Sequence, residues 1–289
     1  MHFNQLKKTY MVQVNLEKLC QDTIKIVKEV GTFVAQKIDK VSSSDIETKD
    51  KNDLVSYVDK TAEKKLVEAL QKLLPNSSFL VEEGTVERSE SEWEWIIDPL
   101  DGTMNFLHNI PPFAISVGLS HNGTMAMGVV LEITRNECFY AWKGGGAYCN
   151  EKPIKISQAP DLAHSVVSTG VPYKYFSFLD EYLATLKYLI LNAQAIRRHG
   201  AAAIDLCYVA SGRFDTFFEF NLLPWDVAAA SLIVQEAGGK VGDSEGKDDY
   251  IFGRSIVAAN PNIYDDMIAV MQRYLSEWKT KKEPVIDDK

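Results

Sequence analysis

The chain has 289 residues, 46% of them hydrophobic and 25% charged, and 40 acidic against 31 basic side chains leave a net charge of −9. That apolar content excludes intrinsic disorder, and the length is ample for a large buried core. The acidic balance argues against nucleic-acid binding, because neutralising phosphates takes a surplus of Lys and Arg.

At the start, Lys7 and Lys8 are followed by no apolar stretch of a secretory signal, and no run of about 18 apolar residues follows anywhere. A cytoplasmic chain without a membrane span is expected. Cys20, Cys138, Cys149 and Cys207 form no CxxC pair and read as reduced, packed residues. Leu16, Cys20, Val27, Val30, Val34 and Ile38 recur at helical spacing and predict one long amphipathic helix. Ser42 to Asp53 breaks that pattern, and Ala62, Leu66, Ala69 and Leu73 give a second helix stopped by Pro75. Phe79 to Val81 and Trp95 to Ile97 are short apolar runs. Ala114–Ser120, Met125–Glu132 and Glu137–Trp142 read as an antiparallel meander with Asn122-Gly123 at its first turn.

The second half alternates strand and helix. Strands are predicted at 165–168, 214–218 and 256–259, and helices at 179–191, 201–211, 227–236 and 263–275, with Gly238-Gly239 closing the third. The fold class is α+β, and no Pro-, Gly- or Ser-rich linker divides the chain. One compact catalytic domain over 1–289 is expected, with subregions 12–155 and 156–278 and a charged, frayed tail over 279–289.

Five acidic residues sit where a scaffold presents functional groups. Glu82 and Glu83 follow one apolar run, Asp98 and Asp101 follow another, and Asp226 stands at a helix start after Pro224-Trp225. Carboxylates without neighbouring His or Cys are ligand chemistry for Mg²⁺ or Mn²⁺. Two such ions, roughly 3.5–4 Å apart, clamp an in-line phosphoryl displacement. Gly102 permits a tight turn, and its N–H and that of Thr103 would face an anion. Singly, each feature reads as a solvated loop, an ordinary turn or a helix-start carboxylate.

Together they carry a resemblance. Trp95-Ile-Ile-Asp98-Pro-Leu-Asp101-Gly-Thr103-Met-Asn105-Phe106 resembles the first signature of the inositol monophosphatase family, and Pro224-Trp225-Asp226-Val-Ala-Ala229 with Glu236-Ala-Gly-Gly239 resembles the second. Glu82-Glu83 stands where that family has paired glutamates, and Arg197 to Glu219 looks like its bacterial branch. The resemblance runs from about Leu16 to Leu275, with Val81, Gly84 and Ala230 departing from its usual residues.

The resemblance implies a layered αβαβα sugar-phosphatase fold and Mg²⁺-dependent, Li⁺-sensitive hydrolysis of a phosphate monoester, an inositol-phosphate phosphatase activity. It implies about two or three Mg²⁺ per site, with Mn²⁺ as a substitute. Glu82, Asp98, the Leu100 carbonyl, Asp101 and Asp226 would hold the metal. Glu83 would hold a metal-bound water, and Asp59 and Thr103 would orient or activate the nucleophilic water. Gly102 and Thr103 would bind phosphate, and Ala202 and Glu219 would face substrate hydroxyls. The implied partner is a sugar or cyclitol phosphate, and the implied assembly a homodimer with Arg197 near its interface. Asn105-Phe106 favours inositol 1-phosphate over 3′-phosphoadenosine phosphates, and fructose 1,6-bisphosphate stays an alternative substrate because some members of the family accept both. A non-catalytic RNA- or ribosome-associated role is the competing expectation. His108, His121, His164 and His199 read as surface or packed residues, Arg197-Arg198 as an ion pair or interface element, and Tyr173 and Tyr175 as residues at a pocket mouth.

Overall fold

A computed structural model describes residues 14–42, 46–50, 53–172 and 176–280. Tyr173, Tyr175 and the end of the tail lie outside the described residues. Helix α1 (Leu16–Ala35) starts where the Asn15 side chain accepts the Lys18 N–H at 2.9 Å, and it buries Leu19, Ile24, Val27, Val30 and Val34. It ends before Ile38, which the apolar periodicity had included.

The polar stretch that breaks this pattern is not mere loop: β1 (Ile46–Asp50) pairs antiparallel with β2 (Asp53–Ser56). Helix α2 (Tyr57–Leu73) begins ahead of its first periodic apolar residue, Ala62, because a capping box pulls the start forward. In it the Ser56 hydroxyl accepts the Val58 N–H, and Asp59 accepts the Ser56 N–H at 2.9 Å.

A seven-stranded sheet follows in chain order: β3 (Ser78–Val81), β4 (Trp93–Asp101), β5 (Ala114–His121), β6 (Thr124–Glu132), β7 (Glu137–Trp142), β8 (Ala147–Cys149) and β9 (Lys152–Pro153). Only β3 and β4 run parallel, and β5 to β7 form the expected meander. A short helix, α3 (Thr103–Leu107), sits between β4 and β5. The second half supplies β10 (Val166–Thr169), α4 (Leu179–Asn192), β11 (Ala195–Arg197), α5 (Ala202–Ala210), β12 (Thr216–Phe220), α6 (Pro224–Glu236), β13 (Lys240–Gly242), β14 (Ser255–Ala259) and α7 (Tyr264–Leu275). Its sheet has the order β11-β10-β12-β14-β13, so neighbours in space are not neighbours in sequence. Strand β12 lies later than the predicted 214–218.

Helices α1 and α2 cover one face of the large sheet, α5 and α6 fill the space between the sheets, and α4 and α7 cover the outer face of the small one. This is the layered αβαβα arrangement that the resemblance implied. Close approach sets the middle layer. Gly118 and Gly128 face each other across β5 and β6, and a Cβ on Gly128 would lie 2.3 Å from the Ala229 carbonyl oxygen. The alanine-rich flank of α6, Ala228 to Ala230, therefore rests directly on sheet backbone. Ala230, one of the departures, is fully buried in this layer.

Candidate active site

Strand ends and helix starts from both halves converge on one cavity of about 300 Å³. Strand β3 delivers Glu82, whose N–H reaches the Ile97 carbonyl at 3.3 Å and so extends the ladder past the strand. Strand β4 loses register between Asp98 and Asp101, which lets both carboxylates turn inward. Asp98 accepts the Leu100 N–H at 2.8 Å, and Asp101 accepts the Ala203 N–H at 2.8 Å from the first turn of α5. Gly102 takes φ +85°, a conformation that penalises a side chain, with the Pro112 and Gly200 carbonyls and Ala201 packed around it. Asp226 is the third residue of α6 and accepts the Leu223 N–H at 2.6 Å. The Ser116 hydroxyl fastens that first turn to β5 through the Trp225 carbonyl.

Glu82, Asp98, Leu100, Asp101, Gly102, Thr103, Ala202, Glu219 and Asp226 all line the cavity. Two candidates stand behind it. Asp59 lies 3.0 Å from the Thr103 hydroxyl, which also has the Leu100 carbonyl at 3.1 Å, and the Ser56 hydroxyl donates to the other Asp59 oxygen. Glu83 is held through its backbone: its N–H and that of Thr85 donate to the two oxygens of Glu63, at 2.7 and 2.8 Å. Ala202 offers its N–H toward Asp101, so it braces a carboxylate.

The electrostatics follow from packing carboxylates together out of water. Burial pushes Asp98 well above the usual carboxylate range, and Glu82, Asp101 and Asp226 push it further; Glu82 and Asp98 are hydrogen-bonded to each other. Burial and then Asp226 raise Asp101, against the Ala203 and Ala202 amides. Burial also raises Glu219, with Asp205 and Asp226 adding and Arg198 opposing, and raises Asp59 against its Ser56 partners.

Sequence reasoning missed three supports. Arg198, read as an ion-pair or interface residue, instead lines the cavity and is its one cationic wall residue among the described residues. Asn105 clips two loops together, donating to the Pro112 carbonyl at 2.8 Å and the His199 carbonyl at 2.7 Å. Glu63 is fully buried. Its signal was present, since it stands one helical turn from Asp59 on a side of α2 that should be apolar. His199 packs as expected, stacked on Phe214 with Nδ1 2.9 Å from Asp205.

Among the described residues, no three Asp, Glu, His or Cys side chains are already gathered round one point as a metal polyhedron requires. The donor set nevertheless fits a hard divalent cation. Five carboxylates, Glu82, Asp98, Asp101, Glu219 and Asp226, and Leu100 line one cavity with no thiol or imidazole among the described lining residues, and the hydrogen bond between Glu82 and Asp98 is one that a cation would replace.

Comparison with known proteins gives the chain its family. The inositol monophosphatase family model matches residues 15–276. A Neisseria meningitidis serogroup B protein named putative Nus factor SuhB is 42% identical over 252 residues, covering 87% of this chain and 97% of the relative. Escherichia coli K12 Nus factor SuhB is 37% identical over 255 residues, covering 88% and 96%. Among solved structures, the Thermotoga maritima IMPase superposes with a TM-score of 0.82 at 32% identity, covering 90% of this chain and 99% of that one. The Bartonella henselae extragenic suppressor protein suhB gives 0.83 at 34%, covering 89% and 99%. Sequence match, fold and cavity together place the chain in the inositol monophosphatase family, whose members are phosphatases of small phosphate substrates.

Proposed function

We propose that this protein hydrolyses a phosphate monoester, inositol 1-phosphate by preference, with water as the nucleophile and Mg²⁺ as the cofactor, Mn²⁺ substituting. The observation that carries the reading is the gathering of Glu82, Asp98, Asp101 and Asp226 on one cavity beside the Thr103–Asp59 pair. These carboxylates and the Leu100 carbonyl would hold the cations. When bound, divalent cations neutralise the phosphoryl group and make water a better nucleophile at neutral pH.

The chain's own groups do the rest. The attacking water donates to the Thr103 oxygen, and Thr103 in turn donates to Asp59. The raised Asp59 carboxyl suits it to take up that proton. Glu83, fixed through Glu63, orients the water. The Gly102 and Thr103 N–H groups receive phosphate oxygens, and Glu219 accepts substrate hydroxyls with Ala202 packed beside it. We read the working form as a cytoplasmic homodimer with Arg197, which is exposed, at the interface.

Phosphate release from inositol 1-phosphate, fructose 1,6-bisphosphate and 3′-phosphoadenosine 5′-phosphate, with and without Mg²⁺ and Li⁺, tests this. Mg²⁺-dependent, Li⁺-inhibited release led by inositol 1-phosphate is expected. Release led by another of the three overturns the substrate preference, and no release from any overturns the catalytic reading.

A second reading comes from the relatives named Nus factor. On it, the chain also serves in an RNA- or ribosome-associated assembly, and its charge of −9 favours a protein contact over direct RNA binding. A gel shift with RNA alone at about 0.15 M salt should show no complex.

A further inference from the structure

Glu219 reaches the cavity from β12, one register step beyond the point where β12 pairs with β10. The parallel pairing runs Val167 to Thr216, Ser168 to Phe217 and Thr169 to Phe218, so the next residue of β10, Gly170, comes alongside Glu219. There the side chain of Glu219 occupies the space that a side chain at 170 would need. A Cβ built on Gly170 would stand 1.9 Å from both Cδ and Oε1 of Glu219 and 2.3 Å from Oε2. All three nearest atoms belong to that one carboxylate.

Gly170 is itself pinned. The buried Tyr182 of α4 donates its hydroxyl to the Gly170 carbonyl at 2.6 Å, and the same hydroxyl lies 3.4 Å from the Thr169 hydroxyl. Behind the carboxylate, between Gly170, Tyr182, Glu219 and Phe220, the remaining cavity is only about 10 Å³. That is room for one water at most. Glu219 has no room to retreat on that side, so an added methyl group at 170 would drive its carboxylate away from β10, toward the large cavity.

We propose that Gly170 is a positioning residue for substrate recognition: its missing side chain is the seat in which the Glu219 carboxylate rests, with Tyr182 holding that seat in place. The proposal deepens the function given above and rests on it, because it assigns Gly170 to the end of the cavity that reads substrate hydroxyls. Gly170 does not need its backbone freedom here, since its φ lies outside the left-handed region. Ala at 170 therefore tests the seat without straining the chain, and the clash falls on the far end of a flexible side chain.

The experiment compares wild type, Gly170→Ala, Glu219→Ala and the double variant on inositol 1-phosphate and on 4-nitrophenyl phosphate, which offers no ring hydroxyls. In Gly170→Ala the ratio of kcat/KM for inositol 1-phosphate to that for 4-nitrophenyl phosphate should fall about tenfold, mainly through KM. In the Glu219→Ala background, Gly170→Ala should change that ratio by less than about twofold, because the seat is already empty. Melting temperatures of the four proteins should agree within about 3 °C.

An equal loss on both substrates, or a loss that persists in the Glu219→Ala background, overturns the proposal and makes Gly170 a packing residue. A melting temperature lowered well beyond that margin also overturns it. Failure of wild type to release phosphate from either substrate overturns the phosphatase reading, and this inference with it.

Discussion

Buried carboxylates occur in two settings in this protein, and they are built in opposite ways. Away from the cavity, three carboxylates are matched to backbone amides. The buried Glu63 takes the N–H groups of Glu83 and Thr85 and the buried Glu132 those of Thr134 and Arg135, while the half-buried Glu236 takes those of Gly144 and Gly146. In the cavity, Asp98 and Asp101 receive one or two amides but stand against further acidic side chains, and burial with that crowding raises both. The first setting stabilises loops by charge-assisted hydrogen bonds. The second stores repulsion that only a proton or a cation relieves. The difference separates acids that fold the chain from acids available for chemistry.

Replacing one member of each set should give opposite outcomes. Asp98→Asn is expected to cut Mg²⁺-dependent phosphate release by about a thousandfold or more. In the same variant the metal-free melting temperature should hold or rise, because one repelling charge is gone. A variant that keeps full activity would remove Asp98 from the metal set.

The next largest effect is on pH dependence. The folded carboxyls of Asp98 and Asp101 titrate above their unfolded values, so the folded state retains protons that the unfolded chain has released. Their contribution is present in acid and is lost as pH rises from about 4 through the raised folded values. In EDTA, melting temperature should therefore fall by several degrees between about pH 5 and pH 8, and Mg²⁺ should restore it most at the alkaline end. A melting temperature that rises over that range in EDTA would contradict the repulsion described.

Glu63→Gln should cost about 2 kcal/mol in denaturant unfolding, the worth of hydrogen bonds to a charged group. It should also lower turnover, because the Glu82–Glu83 loop loses its brace. Glu236→Gln, remote from the cavity, should cost about 1 kcal/mol and leave kcat within about twofold. If it lowers kcat as much as Glu63→Gln does, the separation between the two settings is not sound.

Much of this was legible in the sequence, and unevenly so. The apolar periodicity of α1, the meander and the carboxylates at strand ends were readable because each is a local pattern. The β1–β2 hairpin was not, since its two stretches are short and their residues show no alternation of apolar and polar types. Short strands such as β11 and β13 are defined by their neighbours in a sheet whose order departs from sequence order. Within the site, signatures gave the cavity-lining acids. Arg198 was misread because its place depends on a loop clipped by Asn105, a contact spanning more than ninety positions. Asp59 showed two uses at once, helix cap and partner to Thr103, of which the residues alone suggested neither.

The bare strip of sheet at Gly118 and Gly128 acts as a depth gauge for α6, and through it for Asp226. Because helix backbone touches strand backbone there, any side chain at Gly128 would lift the helix and move one wall of the cavity away from the other. Tolerance to substitution should thus track mechanical linkage and not distance. A glycine in mid-sheet belongs among the positions least free to drift, although it contributes no atom to the cavity.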